Sequence, residues 1–456
     1  MNQHEQLAAF VAATAEEFGV PGLSVGILTD GQELTAAHGV TSVDNPLPVT
    51  ADTLYPLASV SKTVTATAVM RLVAQGRLEL DAPVRRYVPE LRLADEQAAE
   101  RITVLNLLNH TAGLDWNLVG AAAGDGSPAS FVAGMAELPL IAEPGARSSY
   151  SQAGYNLLGL VIEKVTGLPF EKAVAELVLE PVGLCNSFFD TDDIMVRRFA
   201  VGHSRGEDGE LRPATPWRAF RSDDRANNPG GGLVSSVSDL LRWARFHLGT
   251  GDGVLPAELL RSMREQTVEL RASSFGDGVG ICWFLREVGG ARTIGHGGSG
   301  NGQFTELLIV PERNFAVVSL ANVGPDGYNA NQRVVAWALE HYLGLVEEQP
   351  EPVAYDEAKA REVAGRYEND AMVVDIATDG SGLTMAVGIK PEIRAAADEE
   401  MPADYEPAAF GFLDAGGDEY VITEGGLQGQ RGYFSRDARG AVTGVDLAGR
   451  LFPRSV

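Results

Sequence analysis

Strand-like segments recur at both ends of the first 345 residues and enclose a long helical middle, and this order restricts the fold more than any other feature of the chain. Residues 22–40, GLSVGILTDGQELTAAHGV, read as two strands around Asp30-Gly31, a dipeptide that tolerates positive φ and so predicts a tight β-hairpin. Strand-like runs return at 279–286, 292–295, 304–310 and 315–321. Between them, residues 100–250 alternate helical segments with Gly- and Pro-rich loops, including Pro229-Gly230-Gly231-Gly232 ahead of a helix whose Leu240, Leu241, Ala244 and Leu248 share one face. One sheet assembled from both ends, with an inserted helical lobe, satisfies that order and predicts an α+β unit over 1–345.

A chain of 456 residues exceeds what one hydrophobic core organises. The stretch VEEQPEPVAY has little to bury, so residues 346–356 are expected to be a linker. Beyond it, 357–456 shows short alternating runs such as MVVDIATDG, LTMAVG, EYVIT and RGYFSRD, punctuated by Gly and Asp, which predict a small antiparallel β-barrel.

The 62 acidic and 36 basic side chains give a net charge of −26, spread along the chain. That balance opposes nucleic acid and anionic membrane as partners, because phosphate binding is driven by Lys and Arg. No window holds about 18 consecutive apolar residues, so no membrane-spanning helix is expected. The opening MNQHEQLAAFVAATAEEFGVPG carries Glu5, Glu16 and Glu17 and reads as an amphipathic helix rather than an export signal. Cys185 and Cys282 are too few for a disulfide framework and have no metal-ligand spacing; Cys185 is expected to pack in a core. A reducing, cytoplasmic setting without metal or cofactor is the expectation.

Ser59-Val60-Ser61-Lys62 places a hydroxyl and an amine three positions apart, neighbours on one helical face. Lys62 is the only charged residue from Leu54 to Met70, and the helix it opens runs to a stop at Gly76. At the first turn, unpaired N–H groups disfavour an ammonium, which would leave Lys62 neutral enough to take the serine proton.

These residues bring in a resemblance. The segment YPLASVSKTVTATAVMRLVAQGRLELDAPV resembles the nucleophile helix of the serine β-lactamase and penicillin-binding-protein family, in its class C and D-aminopeptidase-like branch. LLNHTAGL (107–114), PGARSSYSQAGYNLLGLVIEKVTG (144–167), GGLVSSVSDLLRWARF and TIGHGGSGNGQFTELLIVPE continue in the family's order, over nearly all of residues 5–345. The resemblance implies that Tyr150 relays protons between Ser59, Lys62 and the leaving group. Gln152 stands where the family usually has Asn, so its substrate-binding amide reaches one methylene further. His296-Gly297-Gly298 falls where many relatives carry Lys-Thr-Gly; His296 would hydrogen-bond Tyr150 or substrate, Gly297 and Gly298 would let an extended substrate lie along the strand, and the Ser299 backbone N–H would join that of Ser59 as oxyanion hole. His110 is expected to be structural.

The C-terminal unit, from Val363-Ala364-Gly365-Arg366-Tyr367 onward, resembles the lipocalin-like domain that some relatives append. Those relatives include D-amino-acid peptidases and penicillin-binding-protein-type thioesterases that release nonribosomal peptides by cyclisation. The expected activity is acyl transfer through acyl-Ser59 on a peptide-like ester, thioester or amide, free or held as a thioester on a carrier protein. It leans towards the thioesterase, with a D-specific peptidase, amidase or esterase as the alternative and a non-catalytic receptor as the alternative of another class. Gln152 and His296 both depart from the pattern of efficient β-lactamases.

Two motifs are decoys. Gly22-Leu23-Ser24-Val25-Gly26 matches a nucleophile elbow but lies inside a predicted strand, where no sharp strand-to-helix turn exists. Gly295-His296-Gly297-Gly298-Ser299-Gly300 matches a dinucleotide fingerprint, but strand-like FTELLIV follows where a phosphate-binding helix would begin.

Overall fold

The structure is a computed structural model that describes residues 2–115, 125–206, 208–214, 225–249, 251, 253–396 and 404–455. Its first half is an eight-stranded antiparallel sheet made from both chain ends. The N-terminal hairpin, β1 (Gly22–Thr29) and β2 (Gln32–Gly39), turns at Asp30 (φ 50°) and Gly31 (φ 75°), as the dipeptide requires. After helices α2 (Ser61–Ala74), α3 (Gln152–Thr166) and α4 (Val237–Leu248) come β3 (Val268–Ser273), β4 (Gly276–Val279), β5 (Phe284–Val288), β6 (Ala291–Gly300), β7 (Gln303–Val310) and β8 (Phe315–Ala321). The strands lie in the order β2-β1-β8-β7-β6-β5-β4-β3. Strand β8 pairs with β1, Leu23 opposite Ala321 and Leu28 opposite Ala316, which joins the two ends of the unit.

Both faces of this sheet are covered, so β1 is buried at every position. On one face, α1 (Gln3–Glu17) and α5 (Asp326–Leu343) pack Leu7, Val11, Val334 and Ala338 against Val25 and Val317. On the other, the helical lobe packs Val64, Leu72, Leu157 and Trp243 against Val318 and Leu320. Helix α2 is buried continuously from Ser61 to Met70, where Lys62 is the one charged side chain, and it ends before Gly76 at φ 67°.

The predicted strand over 279–286 is two strands. Gly280 donates its N–H to the Trp283 carbonyl across Cys282, held at φ 74°, so the chain folds back instead of running through. Strands β3 and β4 escaped prediction because VELRAS and GDGV lack an apolar run. Cys185, expected in a core, is exposed in the turn after the helix end at Gly183, while Cys282 is buried.

After helix α6 (Glu357–Val363), the C-terminal unit is an up-and-down sheet of β9 (Gly365–Glu368), β10 (Met372–Thr378), β11 (Leu383–Ile389), β12 (Tyr405–Phe412), β13 (Glu419–Ile422), β14 (Arg431–Arg436), β15 (Val442–Leu447) and β16 (Arg450–Pro453). A bridge between Tyr367 and Arg454 and the Ser455 N–H to Arg366 carbonyl bond (2.8 Å) bring the ends together into a nearly closed barrel. Met385, Phe410, Tyr420, Phe434 and Phe452 fill its interior, as eight strands allow, so it is a packed core. It leans on the sheet of the first unit at β3: Arg271 pairs with Glu419 at 3.0 Å, and the Arg431 N–H donates to Ser274 Oγ at 2.8 Å. That contact covers a sheet edge. Among the described residues no helix is long and apolar enough to cross a membrane.

Candidate active site

Ser59 sits in a 3₁₀ turn, Ala58–Val60, immediately before α2, and is half-buried with its neighbours Leu57 and Val60 fully inside. One turn on, Lys62 is completely buried. Its Nζ lies 3.2 Å from Ser59 Oγ, 2.6 Å from Gln152 Oε1 and 2.7 Å from the Gly230 carbonyl oxygen. Burial pushes the Lys62 amine down to about 7; the nearby Cys282 thiol opposes this slightly and the Arg450 guanidinium adds to it. Desolvation leads these causes. A neutral amine has two N–H groups and one lone pair. Two pure acceptors, Gln152 Oε1 and Gly230 O, take the N–H groups, which leaves the lone pair facing the serine hydroxyl.

Tyr150 is buried at the start of α3, with Lys62 Nζ 5.0 Å from its ring centroid. Burial raises its phenol well above the ordinary value, while the Ser59 hydroxyl and then the Arg450 guanidinium pull the other way. The phenol is therefore protonated at neutral pH, and its buried oxygen completes no hydrogen bond. His110 packs on this ring at 4.4 Å between centroids and takes the Ser151 N–H on Nδ1 at 3.1 Å, a local structural bond.

His296 lies in β6 with its ring 6.3 Å from that of Tyr150. The predicted His296 to Tyr150 hydrogen bond is not formed: Nδ1 donates to the Gly297 carbonyl at 2.7 Å, and Nε2 is buried without a partner. Burial pushes the imidazole down to about 3, with Lys62 adding to the effect, so His296 is neutral with Nε2 as an acceptor. Strand β6 pairs with β5 only from Ala291 to Gly295, so the edge from His296 to Gly300 is open to an extended ligand, and Ser299 is exposed there. Gly298 is what allows the strand to reach Ser59. A Cβ at this position would lie 2.1 Å from the Leu57 carbonyl oxygen and 3.1 Å from the Ser59 nitrogen, against backbone that cannot yield. Gly298→Ala is expected to lower the rate at which an activated ester acylates Ser59 by ~10²-fold and to lower the melting temperature as well, because the added Cβ forces the strand away from the serine turn. Gly297 faces the other way, where a Cβ would come 3.0 Å from Glu306 Oε2.

Gln152 turns its amide to Lys62, whereas the sequence reading assigned it to substrate. The extra methylene is accommodated because Gly230 has no side chain; a Cβ there would lie 1.9 Å from Gln152 Nε2. Sequence reasoning also missed Arg450. The barrel's β15–β16 turn docks on the tyrosine loop: the Tyr150 N–H donates to the Gly449 carbonyl (2.8 Å), the Leu451 N–H to Ser149 Oγ (3.1 Å), and Arg147 pairs with buried Asp446 (2.9 Å). This places the Arg450 guanidinium 4.9 Å from the Tyr150 ring centroid, in cation–π range. Ser24, the elbow decoy, is buried in β1 against Tyr55 Oη at 3.1 Å. The dinucleotide decoy is strand β6 itself. Among the described residues no three His, Cys, Asp or Glu side chains converge to hold a metal.

A family model described as Beta-lactamase matches residues 7–340. Penicillin-binding protein 4 of Amycolatopsis lactamdurans is 32% identical over 325 residues, 68% of this chain and 83% of that one. The crystal structure of SurE superposes with a TM-score of 0.76 at 26% identity and covers 99% of both chains; the same protein solved with D-Leu gives 0.73. An octameric penicillin-binding protein homologue from Pyrococcus abyssi also covers 99% of both chains, with a TM-score of 0.69 and 25% identity. With the match spanning the sheet, the helical lobe and the serine-lysine helix between them, the chain belongs to the beta-lactamase family of serine hydrolases and acyl transferases.

Proposed function

We propose that Ser59 is the nucleophile of an acyl transfer in which Lys62 is the base and Tyr150 the proton relay. Ser59 Oγ bonds to the acyl carbon as its proton passes to the Lys62 lone pair, and the backbone N–H groups of Ser59 and Ser299 receive the developing oxyanion. The C–S, C–O or C–N bond then breaks, and the Tyr150 phenol hands the leaving group a proton that Lys62 replaces. An incoming amine or water attacks the acyl carbon, gives up its proton to the same relay, and Ser59 Oγ recovers its own. The observation that carries this reading is the fully buried Lys62, its amine pushed down to about 7, with Nζ 3.2 Å from the Oγ of half-buried Ser59.

For the acyl donor we favour a peptide thioester ending in a D-residue, released by hydrolysis or by attack of its own N-terminal amine to form a ring. Support comes from SurE, which shares both units along its length and has been solved with D-Leu. The likeness of the Pyrococcus abyssi penicillin-binding protein homologue over the same span supports the alternative, a D-specific peptidase or esterase. A fluorophosphonate is expected to label Ser59, and Ser59→Ala to lose turnover of peptide thioesters. Macrocyclic product from a D-terminated thioester supports the first reading, and linear acid alone supports the second. Stoichiometric acylation without turnover would mean a receptor.

A further inference from the structure

An amide has an oxygen edge and an NH₂ edge of nearly equal shape, so Gln152 needs a reason to turn its oxygen to Lys62. Asn156 supplies one. It lies one helical turn further along α3, is completely buried, and its Oδ1 accepts from Gln152 Nε2 at 3.1 Å. Its own Nδ2 donates to Asn227 Oδ1 at 2.9 Å. Asn227 closes the 3₁₀ turn Arg225–Asn227, directly before the segment Asn228–Gly231 that carries the second lysine acceptor, Gly230. That segment is itself anchored: Arg225 reaches Glu163 at 3.0 Å and Glu171 at 2.7 Å, and Asn228 Nδ2 reaches Glu171 Oε1 at 2.7 Å.

We propose that Asn156, seconded by Asn227, is a positioning residue that fixes the Gln152 amide with its oxygen towards Lys62, so that both amine N–H groups meet acceptors and the lone pair is left to Ser59. With the amide reversed, Nε2 would donate into that lone pair and compete with the serine hydroxyl. The chain of three amides therefore decides which hydrogen bond the base keeps. The titratable groups around Lys62 are Tyr150, Tyr155, Cys282, Arg450, His110 and His296, whereas the side-chain partners of Asn156 are the neutral amides of Gln152 and Asn227.

The inference rests on Lys62 acting as base, and the test is the pH dependence of kcat/KM for an activated nitrophenyl ester. Asn156→Leu is expected to lower kcat by ~10- to 100-fold at every pH with KM little changed, and to move the acid limb to lower pH, since a carbonyl dipole that favours the ammonium is lost. Asn156→Asp keeps an acceptor for Gln152 Nε2 and adds negative charge, so its limb moves to higher pH and its high-pH plateau returns to within about threefold of wild type. Asn227→Leu is expected to follow Asn156→Leu at smaller size, and it serves where the buried carboxylate of the Asn156→Asp variant prevents folding. Unmoved limbs with lowered melting temperatures, or an Asn156→Leu enzyme with the wild-type rate, would overturn the assignment. Wild-type protein that is not acylated at Ser59 would sink the acyl-transfer reading instead.

Discussion

Replacing Lys62 with Met is expected to lower kcat/KM for an activated ester by ~10³-fold or more while the protein stays folded. Met matches the length of the buried stem and removes an amine that burial already pushes towards neutrality. Two acceptors, Gln152 Oε1 and Gly230 O, lose their donor, at a cost of ~1–3 kcal/mol each, which lowers the melting temperature without unfolding the unit. Lys62→Arg is expected to be equally silent, because a guanidinium does not give up its proton and has no lone pair to offer. The wild-type pH profile carries the same signature. The active form is the neutral amine, so kcat/KM rises with pH through about 7, the value to which burial brings Lys62. His296, pushed down to about 3, cannot produce that limb. Stopped-flow acylation between pH ~5 and ~9, a range that brackets the Lys62 transition, checks both points; a limb that persists in Lys62→Met would place the base elsewhere.

The second large effect is expected far from Ser59 in sequence. Gly449→Val should reduce kcat/KM by ~10²-fold with the barrel still folded. Gly449 has φ 68° in the β15–β16 turn, a region that penalises a β-branched residue by ~1–2 kcal/mol. A Cβ there would also lie 2.4 Å from the Phe275 ring, against which overpacking costs ~1–3 kcal/mol. The relief available is to lift the turn, which breaks the Gly449 carbonyl to Tyr150 N–H bond and withdraws Arg450 from the phenol ring. Arg450→Met separates the two consequences. It leaves the turn in place and removes only the guanidinium from over the phenol ring, so it is expected to lower kcat/KM by less than Gly449→Val does. Unchanged kinetics in both variants, with circular dichroism confirming an intact barrel, would show that the barrel does not position the tyrosine.

The site was legible where chemistry and local periodicity coincide. Ser59 and Lys62 are three residues apart in a stretch, 54–70, that holds no other charge, and no solvated-surface explanation accounts for a lone lysine there. Tyr150 and His296 came from the family's segment order, and the structure sets their rings 6.3 Å apart, with Lys62 Nζ 5.0 Å from the Tyr150 ring. The His296 to Tyr150 bond is absent because Nδ1 reaches the carbonyl of its own neighbour, Gly297, while the phenol ring lies 6.3 Å away between centroids. Gln152 was assigned to substrate because its acceptor role is set by Gly230, whose missing side chain makes the room. Its i, i+4 spacing to Asn156 was present in YSQAGYN and is the one signal that could have exposed the amide chain.

By itself the sequence determined the sheet built from two chain ends, the mostly buried stretch 54–70 with its single charge, and the appended barrel, because these follow from patterns of apolar residues repeating over a few positions. Tertiary structure alone decided that Lys62 is fully desolvated, that Gly230 completes its acceptors, and that Arg450 from the barrel lies over Tyr150. Each of those depends on which distant backbone a side chain is pressed against, and burial and through-space charge leave no periodic mark in a sequence.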